Sequence, residues 1–388
     1  MTSTKPPAEA AVDAFLAAVA HVDATGRVRQ AVRAGHLDDW LVDRERPRRI
    51  QVLALGKAAP RMLWGLVDTG VPFRGFGVSP PGVPQPTVDT FTWHIGDHPL
   101  PTARSFAAGR ALLEWMDRLD PDEPLLVLLS GGASACVEVP QDGTSEADLV
   151  AAWKEWMADG FPIGELNRRR TDLSALKGGQ LAERALAKGL RVRVWLLADT
   201  PPELAPEVVG SGPFDHPDVP GLVLADATDL VAGAGSALQA DGWSCYQHAE
   251  RLAGDTEAQV AAFLDAAARV PNDAPVALLG AGETTVTLAS RAPRGGRAQH
   301  AALLAAKALA QRGWDDAVFL AAGSDGCDGT SDAAGAFVTA ADWTSDGEGA
   351  LAAFDAHGYL SRRGGLVQTG PTGTNVNDLW LLLRPPQA

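Results

Sequence analysis

Apolar residues along the chain form two alternating patterns. Short continuous apolar runs that end at a glycine or a polar loop predict the buried strands of a parallel sheet. These runs cover residues 50–55, 125–129, 192–197, 276–279 and 318–322. Between the runs, apolar residues recur at the spacing of amphipathic helices. The predicted helices cover residues 9–24, 27–33, 38–44, 104–119, 147–158, 179–187, 226–240, 257–268 and 298–311.

The alternation of strands and helices predicts an α/β architecture with a largely parallel sheet. Ligands bind at the carboxyl ends of the strands in such sheets, so the loops that follow the strands are expected to face a ligand. A turn region rich in proline and aspartate covers residues 212–221, and one more helix follows it. We therefore place a domain boundary near residue 240, which gives domains of residues 1–240 and 241–388.

Five stretches of the chain are rich in glycine: residues 130–135, 177–182, 210–213, 280–285 and 369–375. Glycine lets backbone N–H groups approach a phosphate closely, and these stretches also hold serine and threonine donors. One such stretch is usually only a connecting turn, whereas five in one α/β chain favour an enzyme that handles phosphate. Neither the P-loop motif nor G-x-G-x-x-G after a strand occurs, which disfavours a P-loop NTPase and an ordinary dinucleotide fold.

The net charge narrows the range of partners. The 388 residues carry 33 basic and 48 acidic side chains, a net charge of −15, and nucleic-acid binding needs clustered Lys and Arg. Three separated cysteines, at positions 136, 245 and 327, suggest neither a disulfide framework nor a zinc site. The sequence shows no signal peptide and no apolar run of ~20 residues. We therefore expect a cytoplasmic protein, monomer or homodimer, that binds neither nucleic acid nor membrane.

The basic residues offer a few candidates for anion binding. Lys57 and Lys177 lie beside glycines at strand or helix ends, where a compact ammonium can neutralise a transferring phosphoryl group. The alternative is that Lys57 is a solvated residue of a first helical turn. Asn167 and the arginines at 168–170 form a cluster that could bind a carboxylate or phosphate, or could be a solvated helix face. His98, before a proline-rich turn, is interpreted as a structural loop residue.

Four acidic residues follow predicted strands: Asp199, Glu283, Asp325 and Asp328. Mg²⁺ in proteins usually takes one or two carboxylates together with phosphates and water. The two aspartates of the glycine-rich loop at residues 323–329 suit this task. The alternative is that each aspartate caps its own turn.

Eight motifs follow one another along the chain, and the most specific is TGPTGTNVNDLWLLL at residues 369–383. The other seven are LGKAA (55–59), DHPLP (97–101), LSGGASA (129–135), DLSALKGGQLA (172–182), GSGP (210–213), GETTVTL (282–288) and GSDGCDGTSDAAGA (323–336). With these motifs in this order, the chain resembles the glycerate 2-kinases that carry a C-terminal MOFRL domain. The resemblance covers about residues 50–385.

This resemblance implies a Rossmann-like α/β/α N-terminal domain and a smaller C-terminal α/β domain of MOFRL type, with the active site in the cleft between them. It implies a kinase that transfers a phosphoryl group from ATP to the 2-hydroxyl of D-glycerate, with Mg²⁺. It also implies that Lys57 and Arg297 are the catalytic cations.

The expected site follows from the motifs and the resemblance together. We assign Lys57, Arg297 and Asp199 as catalytic residues and Asp325 and Asp328 as metal ligands. Whether Asp199 or Asp325 holds Mg²⁺ or accepts the hydroxyl proton stays open. The residues expected to contact substrate or nucleotide are Ser130, Gly131, Gly132, Ala133, Ser134, Lys177, Gly178, Gly210, Ser211, Gly212, Glu283, Thr284, Thr285, Thr372, Thr374 and Asn375.

Several positions depart from the pattern of the family. Ala298 and His300 replace an amide and a carboxylate, Thr171 and Asp172 replace a basic pair, and Ala133 replaces a glycine. These changes motivate one alternative, a non-catalytic descendant that binds a sugar acid or a nucleotide. A second alternative is an oxidoreductase of the hydroxypyruvate reductase type, against which the missing dinucleotide motif counts.

Overall fold

The computed structural model describes residues 5–41, 49–158, 161, 163–200, 204–286 and 294–386. The chain forms two compact units. The parallel-sheet unit comprises residues 23–226 and 373–375, and the mixed-sheet unit comprises residues 1–22, 227–372 and 376–388. This division differs from the expected boundary at residue 240. The reason is that the first helix, α1 (Pro7–His21), packs against residues 227–240 within the mixed-sheet unit.

A sheet of six strands forms the centre of the parallel-sheet unit. The strands are β1 (Ile50–Leu55), β2 (Phe73–Ser79), β3 (Phe91–Ile95), β4 (Leu125–Ser130), β5 (Val192–Leu197) and β6 (Gly221–Ala225). Their order is β3-β2-β1-β4-β5-β6, and every neighbouring pair is parallel. All residues of β1 and β4 are buried, which explains their continuous apolar sequence. The strand order reverses between β1 and β4, and this creates a crevice at the carboxyl ends of these two strands.

Helices precede and follow the strands of this unit. They are α2 (Ala24–Arg33), α3 (Asp38–Leu41), α4 (Ala59–Val67), α5 (Ala103–Asp117), α6 (Ala133–Cys136), α7 (Glu146–Ala158), α8 (Ile163–Asp172), α9 (Gln180–Ala187) and α10 (Ala205–Val208). The ends of α4 and α5 follow from local sequence: proline lies in the first turn of α4, and Thr102 and Ser105 form a capping box at the start of α5.

The mixed-sheet unit contains seven strands and the remaining helices. The strands are β7 (Ser244–Gln247), β8 (Leu252–Asp255), β9 (Val276–Thr285), β10 (Val318–Gly323), β11 (Gly335–Val338), β12 (Leu366–Val367) and β13 (Asp378–Arg384). The helices besides α1 are α11 (Ala227–Ala240), α12 (Thr256–Ala268), α13 (Arg297–Arg312), α14 (Gly347–Ala352) and α15 (Ala356–Ser361).

The expectation of a largely parallel sheet is wrong for this second unit. The path is β12-β11-β10-β13-β9-β7, with β8 also on β9, and the four pairs from β12 to β9 are antiparallel. Only β7 and β8 pair with β9 in parallel. The connection from β10 to β11 holds no helix, and a short connection without a crossover helix suits antiparallel neighbours.

The sequence patterns locate the main elements. The five predicted strands coincide with β1, β4, β5, β9 and β10, and the predicted helices match observed ones except at their ends. The last three residues predicted for the helix at 38–44 lie outside the described residues. The predicted loop at 280–285 is wrong, because β9 continues through it. Gly282 allows this: a Cβ there would lie 2.1 Å from the carbonyl oxygen of Leu252, so only glycine lets β8 approach β9.

Each unit has its own apolar core. In the mixed-sheet unit the rings of Phe263, Phe319 and Trp380 pack edge to face, with centroids 5.5–6.0 Å apart. Across the part of the chain that the structure describes, no helix is both long enough and apolar enough to cross a membrane.

Candidate active site

Two loops meet at the crevice between β1 and β4 and are locked together by hydrogen bonds. The N–H of Lys57 donates to the carbonyl of Gly131 (2.9 Å), and the N–H of Ala58 donates to Oγ of Ser130 (3.0 Å). Gly56 makes this contact possible: its φ is +112°, and a Cβ there would lie 2.4 Å from the carbonyl oxygen of Ser130. The loop after β1 therefore has a fixed position on the loop after β4.

The side chain of Lys57 lies over a second glycine. Gly132 has φ +84°, and a Cβ there would lie 3.0 Å from Cγ of Lys57 and 3.4 Å from Cδ2 of His98. Lys57 is half-buried, and it forms no ion pair with any residue that the structure describes. A cation without a carboxylate partner at the carboxyl edge of a parallel sheet is available to an anionic ligand.

His98 remains accessible to solvent at the rim of this crevice. Packed atoms around the ring, and then the charges of Lys57 and Arg170, lower the pKa of His98 to about 4. The imidazole is therefore neutral at pH 7 and can both donate and accept a hydrogen bond. The ring lies beside Lys57 at Gly132, and its interpretation as a structural loop residue stays a prediction.

A carboxylate and an amide lie beside the first residue after β4. A Cβ on Gly131 would lie 2.4 Å from Oδ2 of Asp199 and 3.1 Å from Nδ2 of Asn375. Nδ2 of Asn375 lies 3.5 Å from Oδ2 of Asp199. Gly131, Asp199 and Asn375, from three distant parts of the sequence, thus meet within the parallel-sheet unit. The structure brings together Lys57, Asp199, Asn375 and the loop after β4, and their catalytic and binding roles stay predictions.

Hydroxyl groups extend this crevice on the other side of the loop after β4. Oγ of Ser134 lies 2.6 Å from Oγ of Ser211, and Oγ of Ser211 donates to Oδ1 of Asn167 (2.9 Å). Ser211 has φ +61°, and the glycines at 210 and 212 also have positive φ. A serine in the left-handed region is uncommon, so the hydroxyl contacts hold it in this backbone conformation.

Lys177 and Gly178 do not offer free donors to a ligand in this structure. Lys177 is buried and forms an ion pair with the buried carboxylate of Glu138, which also accepts from Oγ of Ser174 (2.5 Å). Burial lowers the pKa of Lys177, and Glu138 opposes this change. The N–H of Gly178 donates to the carbonyl of Ser211 (3.0 Å). Lys177 and Gly178 therefore make contacts within the protein in this structure, and their nucleotide contacts stay a prediction.

In the mixed-sheet unit, Arg297 begins α13 and is held by two carboxylates. Its Nε and Nη2 donate to Asp378 (2.6 and 3.0 Å), and its Nη1 lies 2.5 Å from Oε1 of Glu283. Burial alone would lower the pKa of Arg297, but the carboxylates raise it above its ordinary value. Asp378 is buried, whereas about half of the Glu283 side chain is exposed. Arg297 is therefore aimed by Asp378, and Glu283 covers its outer nitrogen.

The two aspartates predicted as metal ligands cap turns. Oδ1 and Oδ2 of Asp328 accept the N–H groups of Ala298 and Gln299 (3.1 and 2.8 Å) at the start of α13. Burial raises the pKa of Asp328 to about 6, against the effect of these N–H donors. Oδ1 of Asp325 accepts the N–H of Cys327 (3.1 Å). Within the described ranges, no three His, Cys, Asp or Glu side chains come together as a metal cage.

The threonines of the C-terminal motifs have mixed positions. Thr284 is buried on β9 and accepts from Oγ1 of Thr256 (2.9 Å), whereas Thr285 is exposed. Oγ1 of Thr372 donates to the carbonyl of Ser324 (2.6 Å), and Thr374 is buried. Residues 287–288 of the GETTVTL motif lie outside the described residues. Thr285 is therefore the residue of this group with an exposed side chain.

Comparison with known proteins identifies the family of the chain. Residues 10–237 match a domain of unknown function (DUF4147), and residues 276–378 match the MOFRL family. D-glycerate 2-kinase from Thermotoga maritima is 31% identical, over 85% of this chain and 89% of its own length. The chain belongs to the glycerate kinase family with a MOFRL domain. This confirms the resemblance seen in the sequence.

Two further comparisons relate this chain to glycerate kinases. Glycerate 2-kinase from Pyrococcus horikoshii is 27% identical, over 85% of this chain and 86% of its own length. A crystal structure of glycerate kinase from Thermotoga maritima matches with a TM-score of 0.82 at 25% identity, over 97% of this chain and 99% of that chain. The two-domain α/β fold is thus shared with a glycerate kinase of known structure.

Sequence reasoning about this glycerate kinase family member named His98 and Asn167 without their partners, and it missed Asp378. His98 is paired with Lys57 over Gly132, and Asn167 is tied to the loop after β4 through Ser211. Asp378 orients Arg297. The DHPLP and NVND motifs already contain His98 and Asp378, so their place in specific motifs was the available signal.

Proposed function

We propose that this protein is an ATP-dependent kinase that phosphorylates D-glycerate at its 2-hydroxyl and releases 2-phosphoglycerate and ADP. The observation that carries the proposal is the cation of Lys57, which forms no ion pair with the described residues and lies beside Gly132 at the carboxyl edge of the parallel sheet. Relatives named D-glycerate 2-kinase and glycerate 2-kinase, aligned over most of their length, support the choice of substrate.

The proposed reaction moves one phosphoryl group. The 2-hydroxyl oxygen forms a bond with the γ-phosphorus of ATP as the bond between this phosphorus and the bridging oxygen of ADP breaks. The hydroxyl proton passes to the carboxylate of Asp199. Negative charge is spread over the phosphoryl oxygens during transfer, and the ammonium of Lys57 stabilises it. In this crevice Lys57 and Asp199 follow β1 and β5, on either side of the loop after β4.

The loops around Lys57 would contact the anionic groups of the ligands. We propose Ser130, Gly131, Gly132, Ala133 and Ser134 as the main binding loop, and Gly210, Ser211 and Gly212 as its neighbour. Asn375 beside Asp199 would orient that carboxylate toward the acceptor. The support for this assignment is the network of hydrogen bonds that fixes the first loop on Lys57 and the second on Ser134.

The carboxylates described here could hold Mg²⁺ with only one or two protein ligands. Mg²⁺ needs only one or two carboxylates when phosphates and water complete its coordination. A cluster of three or more protein ligands is therefore not required for Mg²⁺ binding. With Asp199 proposed as the proton acceptor, Asp325 is the candidate for this role. Asp328 does not suit it, because both of its oxygens already accept backbone N–H groups. When bound, Mg²⁺ would neutralise part of the phosphate charge.

We also propose Arg297 as a second catalytic cation. Asp378 binds two of its nitrogens and fixes the guanidinium, and the half-exposed Glu283 covers the third. A phosphate oxygen could replace the carboxylate of Glu283, since an exposed ion pair is weak. Such an exchange would leave the Asp378 contact intact.

Product analysis with several substrates tests the proposed function against its alternatives. The protein is incubated with ATP and Mg²⁺ and a panel of small hydroxy acids, and ADP formation is measured. We expect ADP formation that depends on D-glycerate. Oxidation of NADH by hydroxypyruvate would instead support the reductase. A thermal shift with glycerate or ATP, but no turnover of any substrate, would support a non-catalytic binding protein.

A further inference from the structure

We propose that Arg170, together with His98, holds the carboxylate group of the acceptor substrate and so selects hydroxy acids over uncharged alcohols. This inference rests on the proposed kinase function and names the recognition of its acceptor. It concerns one of three adjacent arginines that the sequence analysis treats as a single cluster, which could bind a carboxylate or phosphate or form a solvated helix face.

Helix α8 places Arg170 beside the candidate crevice. Asn167 on α8 is buried and accepts the hydrogen bond from Ser211, which in turn contacts Ser134 of the loop after β4. Arg170 lies three residues further on, so it belongs to the same face of the helix. This face of α8 therefore points toward the loop that carries the proposed binding groups.

The neighbouring arginines have partners, whereas Arg170 has none of that kind. Arg168 and Arg169 both form ion pairs with Glu165 on α8. Arg170 forms no ion pair with any described residue, and its Nε is buried without a hydrogen-bond partner there. Burial lowers the pKa of Arg170, and the negative charge of Glu138 opposes this change. The oxygens of Glu138, however, already bind Lys177, Ser174 and the N–H of Val139.

A buried aromatic ring supports the guanidinium. The Cζ of Arg170 lies 4.4 Å from the centre of the Trp153 ring, and Trp153 is 1% exposed. Trp153 packs in one apolar cluster with Ala135 of α6 and Leu100, two residues after His98. The positive charge of Arg170 also contributes to the lowered pKa of His98. Through Trp153, Arg170 thus lies on the same apolar cluster as the helix after β4 and the segment that follows His98.

The chemistry around Arg170 favours a carboxylate. An unpaired guanidinium that is largely removed from water is costly, and an incoming anion relieves this cost. The planar fork of arginine matches the two oxygens of a carboxylate, whereas the compact ammonium of Lys57 suits a phosphoryl oxygen. A neutral His98 adds a hydrogen-bond donor without a second charge. One cation and one neutral donor match the single negative charge of a hydroxy acid.

Substitution of Arg170 with a matched control tests the inference. Arg170→Gln removes the charge, Arg170→Lys keeps it without the fork, and Arg168→Gln makes the same change at an exposed position of the same helix. We measure KM for D-glycerate and for ATP, and the preference for D-glycerate over the uncharged amide glyceramide. Calorimetry with D-glycerate alone, without nucleotide, measures binding directly.

We expect Arg170→Gln to raise KM for D-glycerate about 10- to 100-fold, with KM for ATP changed less than about twofold, because one charge-assisted pair is lost. The preference for D-glycerate over glyceramide should fall by a similar factor. Arg170→Lys should give a smaller increase, and Arg168→Gln no change. If Arg170→Gln does not fold, the increase with Arg170→Lys decides.

Three results would overturn the inference: an increase in KM for ATP alone, no change in either constant, or equal effects of Arg168→Gln and Arg170→Gln. The proposed function fails separately. The wild-type protein could show no turnover but bind D-glycerate in calorimetry, with this binding abolished by Arg170→Gln. That result would support the carboxylate site and contradict the proposed kinase function. No binding of D-glycerate to the wild-type protein would overturn the carboxylate site.

Discussion

At the scale of single residues, two glycines decide which side chains reach the crevice. Gly131 leaves room for the carboxylate of Asp199, and Gly132 leaves room for Lys57 and His98. A side chain at either position would fill the space that these groups now occupy. The backbone of the loop after β4 therefore acts as the surface on which the proposed catalytic groups are arranged.

Gly131→Ala should reduce kcat/KM by about 10- to 100-fold, because a displacement of about 1 Å in a catalytic group costs up to 10²-fold. The added Cβ would lie 2.4 Å from Oδ2 of Asp199 and must push it away. The control is Gly164→Ala on α8, where the Cβ would meet no described atom within 4 Å. Steady-state kinetics of both variants checks this. Unchanged kinetics of Gly131→Ala would show that Asp199 takes no part in the reaction.

Lys57→Ala should lower kcat by about 10²–10³, since a preorganised charge contact of this kind is worth about 3–4 kcal/mol. The melting temperature should change little, because the substitution leaves the backbone hydrogen bond to Gly131 intact. Lys57→Arg should recover only part of the activity, because the guanidinium keeps the positive charge but is larger than the ammonium and planar. A near-normal kcat for Lys57→Ala would remove this residue from the mechanism.

The sequence predicts some of these residues for a physical reason. Lys57 and Asp199 directly follow buried strands, and the carboxyl ends of parallel strands share one edge, so their meeting follows from the pattern. Lys177 also lies beside glycines, yet it is buried against Glu138. These two residues are 39 positions apart in the sequence, so no argument based on local spacing could predict the pair. The same holds for Arg297 and Asp378.

At the scale of elements, a buried ion pair joins the segment after α8 to the segment after α6. Glu138 and Lys177 are both nearly inaccessible to solvent, with side chains 0% and 2% exposed. Ser174 and the N–H of Val139 complete the partners of the carboxylate. This pair fixes the position of the glycine-rich turn after Lys177, whose N–H groups bind the carbonyls of residues 211 and 212.

Lys177→Met should lower the free energy of unfolding by about 3–5 kcal/mol, because it leaves Glu138 buried without a counter-charge. Adding Glu138→Gln in the same chain should recover part of this loss. Lys154→Met, at an exposed position of α7, is the control and should change little. Chemical denaturation measures all three variants. If Lys177→Met is as stable as the wild type but binds ATP weakly, a role in nucleotide binding returns.

The topology of β9 shows where sequence patterns reach their limit. The stretch at 280–285 has the composition of a loop, but it is a strand because β8 and β13 pair with it on both sides. Its glycines permit close approach of neighbouring backbone rather than approach of a ligand. Local composition cannot distinguish these two uses, since both need the absence of a Cβ.

At the scale of the whole molecule, α1 belongs to the unit formed mainly by the C-terminal half of the chain. Phe15 on α1 is 0% exposed, and α1 packs against α11. A boundary at residue 240 does not separate two independently stable units, because α1 is part of the mixed-sheet unit. No local pattern in α1 indicates this partner; only its apolar face is visible in the sequence.

Phe15→Ala should therefore destabilise the mixed-sheet unit by about 3–5 kcal/mol, as expected for an emptied aromatic core position. Leu16→Ala is a matched control at the next residue, where the side chain is 45% exposed, and should cost less than about 0.5 kcal/mol. Thermal and chemical denaturation of both variants checks the difference. Equal stability of the two variants would show that α1 is not part of this core.

The central claim is the transfer of a phosphoryl group from ATP to the 2-hydroxyl of D-glycerate. Proton and phosphorus NMR of the products formed from D-glycerate, ATP and Mg²⁺ tests it most directly, because the two phosphoglycerates have distinct spectra. We predict 2-phosphoglycerate and ADP in equal amounts, with the rate reduced in Lys57→Ala. Exclusive formation of 3-phosphoglycerate, release of inorganic phosphate without a phosphorylated acid, or unchanged substrates would contradict it.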